Sequence, residues 1–582
     1  MITGYHNYKV EVKNVKFISD DGRTCPRTAI ITLFGHDGEQ VGSELLGAIE
    51  TTEIYKMIEE GRDLNLDNFY INDFSLSNYR RYHGMEKKDF VELKKFSARN
   101  SFFEAKAATD FSYALFSDDD IEFEGCHFAK GKTIFTGTNF GKGNVVFSNT
   151  LFRDGNIEFN GSVFGDGDFL FKNAIVKDGI KDFQDIKFGD GEVSFANTEF
   201  NFGELLFINT QFGNGRFNFK VTRIGGGKVD FHYSAFGDCE VTFERAEFGN
   251  SRVDFRTVDF GSGRINFNRS IFGNGEVNFE GASCRSGKIQ FKKAEMGAGP
   301  KNFSLMEMVN AEINFEKTEF GDGDVVFNNS RFKVLCLKSC HLDHYVDLRL
   351  AGAELLDISD TIIRDIVDLE PYDFDIDIEV LDMSGMRVIG KLYIDYERNH
   401  LERVITAQAD TSIRQKAEQF RNLKTNFSST GKYDDEDKAY VMFKRYEAIA
   451  DMNDGIENNK WARLWEYPVY GFKWLVFDKI GLYATSPGRV LLSVIIFWVF
   501  FGMTYFLIDT AGLGKTMSSV GNPDQLSPLL QSFYHSAITF FTIGYGDVYP
   551  MGVSRIVSGF EGFMGVFMMS YFTVAFVRKV LR

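Results

Sequence analysis

Gly141-Lys142-Gly143-Asn144-Val145-Val146-Phe147-Ser148-Asn149-Thr150-Leu151-Phe152 is one unit of a pattern that returns every twelve residues. Phe147 belongs to a series running from Phe111 to Phe327, nineteen positions without a substitution. Phe152 belongs to a second series five residues later, Phe116 to Phe332, in which 14 of 19 positions are Phe and Val176, Ile224, Cys284, Met296 and Met308 are the exceptions. Twelve residues at about 100° each leave a helix about 120° out of phase per unit, so no helical stripe survives the run. Strands fit. Val145 and Phe147 are two apart and share one side of an extended segment. The glycine pairs Gly141/Gly143, Gly165/Gly167 and Gly189/Gly191 mark a corner that needs either positive φ or close backbone approach. One unit cannot bury its own apolar edge, but units stacked about 4.8 Å apart set Phe over Phe, which predicts a β-solenoid.

The whole chain has 582 residues, 44% hydrophobic and 25% charged, too long for one core and too polar to be wholly membranous. Its net charge of −17 opposes nucleic-acid binding. Six cysteines are scattered without a C-x-x-C pair, and no basic-then-apolar segment follows Met1, so reduced thiols and a cytoplasmic N-terminus are expected. His341 and His344 beside Cys336 and Cys340 are weighed as metal ligands and set aside as neighbours in a degenerate repeat.

From Phe123 to Phe332 the pattern resembles the pentapeptide-repeat family, which places a small residue two before a central Leu or Phe, as in Thr150-Leu-Phe152 and Ala246-Glu-Phe248. The spacing here is five then seven, so a coil takes either one unit or two; the four-sided coil of two units is preferred. The resemblance implies a right-handed β-helix. We expect residues 1–100 to form an N-terminal cap of small β structure plus a short helix, 101–332 the solenoid, and 333–400 degenerate final coils.

Beyond residue 400 the grammar becomes helical. Ile413, Ala417, Phe420, Leu423 and Phe427 step by three and four, and a second helix is expected from about Asp434 to Asp451, giving an αα-hairpin connector over 401–455. It is similar to the connector of some membrane-bound pentapeptide proteins. Trp461, Trp465, Tyr467, Tyr470, Phe472, Trp474, Phe477 and Tyr483 make 456–489 an interfacial aromatic segment. Val490 to Ile508 carries no charge and, at 1.5 Å per residue, spans roughly 28 Å. A second apolar stretch runs from about Val553 to Val577. Arg489 before the first and Arg578, Lys579 and Arg582 after the second place both termini in the cytoplasm.

Between these spans lies Thr542-Ile543-Gly544-Tyr545-Gly546-Asp547. It resembles the selectivity filter of two-transmembrane potassium channels, and residues 490–582 resemble their pore: two helices and a re-entrant pore helix. The resemblance implies that carbonyls of Thr542, Ile543, Gly544 and Tyr545, with Gly546 completing the filter, coordinate dehydrated K+. It implies support from Thr539, Tyr534 and Asp547, with Tyr545 packed behind the filter. A gating hinge is expected at Gly565, with Gly562 as a packing glycine. Glu561 is either a structural hydrogen-bonding acid or part of the conduction path.

The fold class is thus multidomain: β-solenoid, helical connector and all-α transmembrane pore. The expected function is passive, potassium-selective conduction by a homotetramer in the plasma membrane of a bacterium, with K+ as permeant ion, no organic cofactor, no enzymatic chemistry and no nucleic acid. No Arg-rich helix precedes the pore, and regulation is expected from the N-terminal side, through a cytoplasmic ligand or protein partner on the solenoid. The alternative is a membrane-anchored acidic scaffold: residues 1–486 carry a net −19.

Overall fold

The computed structural model describes residues 4–19, 22–372, 376–458, 461, 463–519 and 526–581; Arg582 lies outside them. The chain forms two compact units, Met1–Gln408 and Ala409–Arg582.

In the first unit, parallel strands pair with a constant offset of 24 residues: Ile121 with Val145, Val145 with Phe169, Phe169 with Val193. Two repeat units therefore make one coil, and one wall of the solenoid is a 14-stranded parallel sheet. The core explains why the first Phe series tolerates no exception. Phe123 lies flat over Phe147 (4.7 Å between centroids, 3°) and Phe135 over Phe159 (4.8 Å, 8°). Across the coil, Phe123 meets Phe135 edge to face at 5.6 Å and 81°. Stacked columns meeting edge-on satisfy the ring quadrupoles in both directions. The second series forms its own columns, such as Phe128 over Phe152 at 4.8 Å and 1°. Where Val176 interrupts, Phe152 lies parallel to Phe171 of the first series at 5.4 Å.

The small residue before the second Phe is a hydrogen-bonding position. Thr150 Oγ1 donates to the Phe123 carbonyl (2.9 Å) and Thr198 Oγ1 to that of Phe171 (2.6 Å), so each buried hydroxyl is satisfied. The corners divide the two demands placed on glycine. Positive φ falls two residues after the first Phe, at Asn149 (59°), Asn173 (56°) and Asn197 (55°), where Asn tolerates it. The Gly-x-Gly positions serve close approach: a Cβ on Gly167 would stand 2.2 Å from the Gly143 carbonyl oxygen of the coil before.

At the N-terminus, strands Asn7–Lys13, Thr28–Phe34 and Gln40–Ile49 form an antiparallel meander. Its last strand pairs in parallel with Phe69–Asn72, which pairs with Phe102–Asp110. Coil stacking thus starts before residue 101. Helices α1 (Thr51–Glu59) and α2 (Leu76–Tyr82) sit in this region. After Phe332 the pairing continues with altered offsets, Leu335 on Leu356 and Leu356 on Leu381, and α3 (Leu401–Thr406) follows with Leu401, Val404 and Ile405 buried.

The second unit is helical. α4 (Ile413–Thr430) starts at a capping box of Ser412 and Gln415 and stops at Gly431, whose φ of 75° forms the left-handed cap. α5 (Tyr433–Asn458) returns beside it. α6 (Arg463–Lys473) buries none of its residues and exposes Trp465, Tyr467 and Phe472. α7 (Pro487–Thr510) and α9 (Ser554–Val580) are long and apolar enough to cross a membrane, and α8 (Pro528–Phe540) lies between them in sequence.

Candidate functional site: the pore loop

α8 begins on Ser527, whose side chain accepts from the Leu530 amide, with Pro528 in the first turn. It packs against both long helices. Trp498 Nε1 on α7 donates to the Phe533 carbonyl (3.2 Å), and Ser536 Oγ donates to the Trp498 carbonyl (3.1 Å). The chain leaves the helix through bonds that turn amides back toward it: Thr542 N to the Thr539 carbonyl (3.1 Å), Ile543 N and Gly544 N to the Ile538 carbonyl (2.9 and 3.1 Å).

These bonds use donors and leave acceptors. Among the described residues, the carbonyls of Thr542, Ile543, Gly544 and Tyr545 accept no hydrogen bond. φ is positive at every second residue, Thr542 (58°), Gly544 (64°) and Gly546 (78°). An ordinary strand points successive carbonyls to opposite sides; inverting alternate residues turns them the same way. The glycines take this conformation freely, whereas for β-branched Thr542 it is a strained outlier. The sequence motif identified Gly544 and Gly546 but gave no sign of Thr542's backbone. The stretch from Thr542 to Gly546 is exposed in the single subunit, Tyr545 by 72%.

Below and behind the loop, Tyr534 Oη donates to Asp547 Oδ2 (2.7 Å), and Ser519 Oγ donates to the carbonyls of Gly546 and Asp547 (3.1 and 3.2 Å). Ser519 follows strand Gly514–Ser518, which pairs antiparallel with Val548–Gly552 and so ties the C-terminal end of α7 to the segment that follows Asp547. Glu561 is fully buried on α9, accepting from Tyr505 Oη of α7 (2.6 Å) and from Ser536 Oγ of α8. It is a structural acid joining three helices.

The glycines of α9 exchange their expected packing roles. A Cβ on Gly565 would stand 1.9 Å from the Phe540 carbonyl oxygen at the end of α8, whereas one on Gly562 meets nothing within 4 Å. Gly565 is therefore the packing glycine. α9 runs as one helix through both.

At its other end α9 joins the hairpin. Arg578 binds Asp437 of α5 (3.1 Å) and lies over Tyr440 (4.2 Å to the ring centroid), and Lys579 binds Asp434 (2.7 Å). Tyr571 Oη accepts from the Ala484 amide (3.1 Å) and donates to the Phe477 carbonyl (3.3 Å). Arg445 of α5 forks onto Asp478. The basic residues at 578–579 were legible only as topology signals; their partners are 140 or so residues upstream.

The cysteines and histidines near 340 do not converge: Cys340 Sγ donates to the Phe315 carbonyl (3.0 Å) and His344 faces Asp322 (3.5 Å). Asp230, His232 and Asp254 do bring ligand atoms within 4.8 Å. Lys228 stands 2.6 Å from Asp230 and Arg256 forks onto Asp254, so the charge there is already balanced by side chains.

Residues 493–582 match the ion-channel family, and the chain is 30% identical over 109 residues to Protein LctB of Geobacillus stearothermophilus, covering 18% of this chain and 75% of that protein. The chain belongs to the ion-channel family. Protein LctB of Bacillus caldotenax is 36% identical over 70 residues, 12% of this chain and 52% of that protein. Both likenesses cover a small part of the chain. No solved structure matches the channel. The family match contains α8, α9 and most of α7, so the loop with the unbonded carbonyls lies inside the channel domain.

Proposed function

We propose that four copies of this channel subunit surround one pore and conduct K+ selectively down its gradient. The observation that carries the reading is the run of four unbonded carbonyls from Thr542 to Tyr545 with φ inverted at alternate residues. Carbonyls so arranged replace a hydration shell, and only several copies can encircle an ion. The exposure of Tyr545 and the rest of the loop in one subunit supports burial against neighbouring copies. Thr539 and the Tyr534–Asp547 bond brace the loop, and Gly562, free of contacts, is where α9 can bend.

The membrane orientation follows from Arg489, Arg578 and Lys579, which favour a cytoplasmic location for both ends in the plasma membrane of a bacterium. Gating enters through the connector. α5 holds the end of α9 by Arg578–Asp437 and Lys579–Asp434, so a signal from the solenoid reaches the inner helix by way of the hairpin as well as through the first helix. The scaffold alternative rests on the acidic solenoid. Its bases pair with acids from coil to coil, as in Lys288–Glu312 (2.6 Å) and Lys292–Glu316 (2.8 Å), which leaves the net acidic excess to solvent.

The test is flux from liposomes holding the purified full-length channel, K+ against Na+, with Gly544→Ala as control. K+-selective flux lost in the variant supports the reading; flux that does not distinguish the ions refutes selectivity.

A further inference from the structure

The outer strand Asn7–Lys13 and the solenoid wall beneath it border an open groove of about 600 Å³. Alternation turns Tyr8 and Val10 inward, while the floor is Tyr70, Glu104, Ala129, Lys130 and Arg153. We propose that this groove binds a nucleoside phosphate, and the argument rests on three features of it.

The first is charge. Arg153 is held in place by the rings of Tyr5 and Tyr8, 5.1 and 5.3 Å from its guanidinium carbon, and donates to the His6 carbonyl. Among the described residues neither Arg153 nor Lys130 has a carboxylate partner, whereas their neighbours Lys9 and Lys132 pair with Glu11 (2.8 Å) and Glu158 (3.0 Å). Two cations without a carboxylate partner thus line one groove, and they offer a phosphate charge-assisted bonds that oppose the repulsion from the acidic remainder of the chain. An arginine already oriented by stacking gives up little freedom when its fork closes on an anion.

The second is the aromatic and apolar wall. Tyr8, Val10, Val12, Tyr70 and Ala129 have no use for an inorganic anion, but a planar base stacks on such rings. Tyr8 is itself braced edge-on by Phe102 at 5.1 Å.

The third is Glu104, the single carboxylate lining the groove, whose Oε2 accepts from Tyr70 Oη (2.9 Å). Tyr8 also hydrogen-bonds this carboxylate, and its remaining lone pairs are acceptors for a ribose hydroxyl or an exocyclic amine. The volume falls in the range of small-ligand sites, roughly 300 to 1,000 Å³.

The experiment is calorimetric titration of the full-length channel in detergent with AMP, ADP and inorganic phosphate. AMP or ADP should bind, and Arg153→Ala should weaken binding about tenfold or more, as expected for a lost charge-assisted bond. Because Arg153 also seals the strand, Lys130→Ala is the second variant: Lys130 is exposed, and its loss should weaken nucleotide binding without moving the thermal midpoint. Lys132→Ala, paired to Glu158, is the control and should bind as wild type. No heat with either nucleotide, equal affinity for inorganic phosphate, or undiminished binding by Lys130→Ala and Arg153→Ala would each overturn the proposal. The readout is independent of ion flux, so its failure leaves the channel reading untouched.

Discussion

Ser536 on the pore helix donates its hydroxyl to the buried carboxylate of Glu561 on the inner helix, which also accepts from Tyr505 on the outer helix. One acid thereby ties all three membrane-region helices at the level of the filter's support. Glu561→Ala takes the acceptor from the buried Tyr505 hydroxyl, at about 1–3 kcal/mol, while Ser536 keeps the Trp498 carbonyl. The expected result is a lower unfolding temperature in detergent and loss of flux, whereas Glu561→Gln, which keeps one acceptor, retains part of both.

Gly565 and Gly562 give opposite expectations. Alanine at Gly565 drives its Cβ into the Phe540 carbonyl, so the pore helix must shift. Gly565→Ala should abolish the assembled, conducting species on size exclusion and in flux. Gly562→Ala, with open space around it, should assemble as wild type.

The contact between α5 and the end of α9 is open to charge reversal. Arg578→Asp breaks its pair with Asp437 and sets two acids together. Open probability in planar bilayers should change, and adding Asp437→Arg should restore it. Contacting pairs couple by about 0.5–3 kcal/mol, and partly exposed ion pairs lie at the low end. A double variant no closer to wild type than the single one would show that the pair does not link hairpin to pore.

Two lysines buried in the solenoid ladder set a pH dependence. Lys181 donates to the carbonyls of Gly179 and Phe202 (both 3.0 Å), and Lys301 donates to that of Gly297. Burial lowers both to about 8, against which the carboxylates of Asp178 near Lys181 and Asp322 and Asp324 near Lys301 pull upward. Between about 8 and the ordinary lysine value near 10.5 the unfolded chain holds more protons, so solenoid stability should rise with pH in that window. Burial also raises the hydroxyls of Tyr5 and Tyr70, which reverses the trend above the ordinary tyrosine range. Hydrogen exchange of full-length protein at residues 175–207 should show growing protection from pH 8 to about 9.5, and Lys181→Met should flatten it.

The period of Phe147 and its kin, read without coordinates, led to a β-solenoid because a stacked coil repeats one local environment and the sequence must repeat with it. The glycine-punctuated loop was legible for a similar reason: Gly544 and Gly546 take a positive φ, which excludes most side chains. Coil size was a preference for two units over one, since a twelve-residue unit fits either, and the 24-residue strand register decides for two. The division of labour between the positive-φ corners and the Gly167-type contacts was not readable, because the corner falls on Val221, Tyr233, Arg245 and Thr257 as well as on Asn149, residue types that give no sign of it.

What the sequence by itself determined was therefore everything imposed by local geometry and repetition: strands, corners, two apolar spans and a glycine-punctuated loop. Only the tertiary structure decided which residues meet across the chain. Glu561 found Ser536 and Tyr505, Gly565 found the end of α8, Arg578 found Asp437, and among the described residues Lys130 and Arg153 were left without a carboxylate partner beside two tyrosines. Such pairings join positions tens to more than a hundred residues apart, and no periodicity encodes them. They follow from which surfaces become neighbours once the helices and coils have buried their apolar faces.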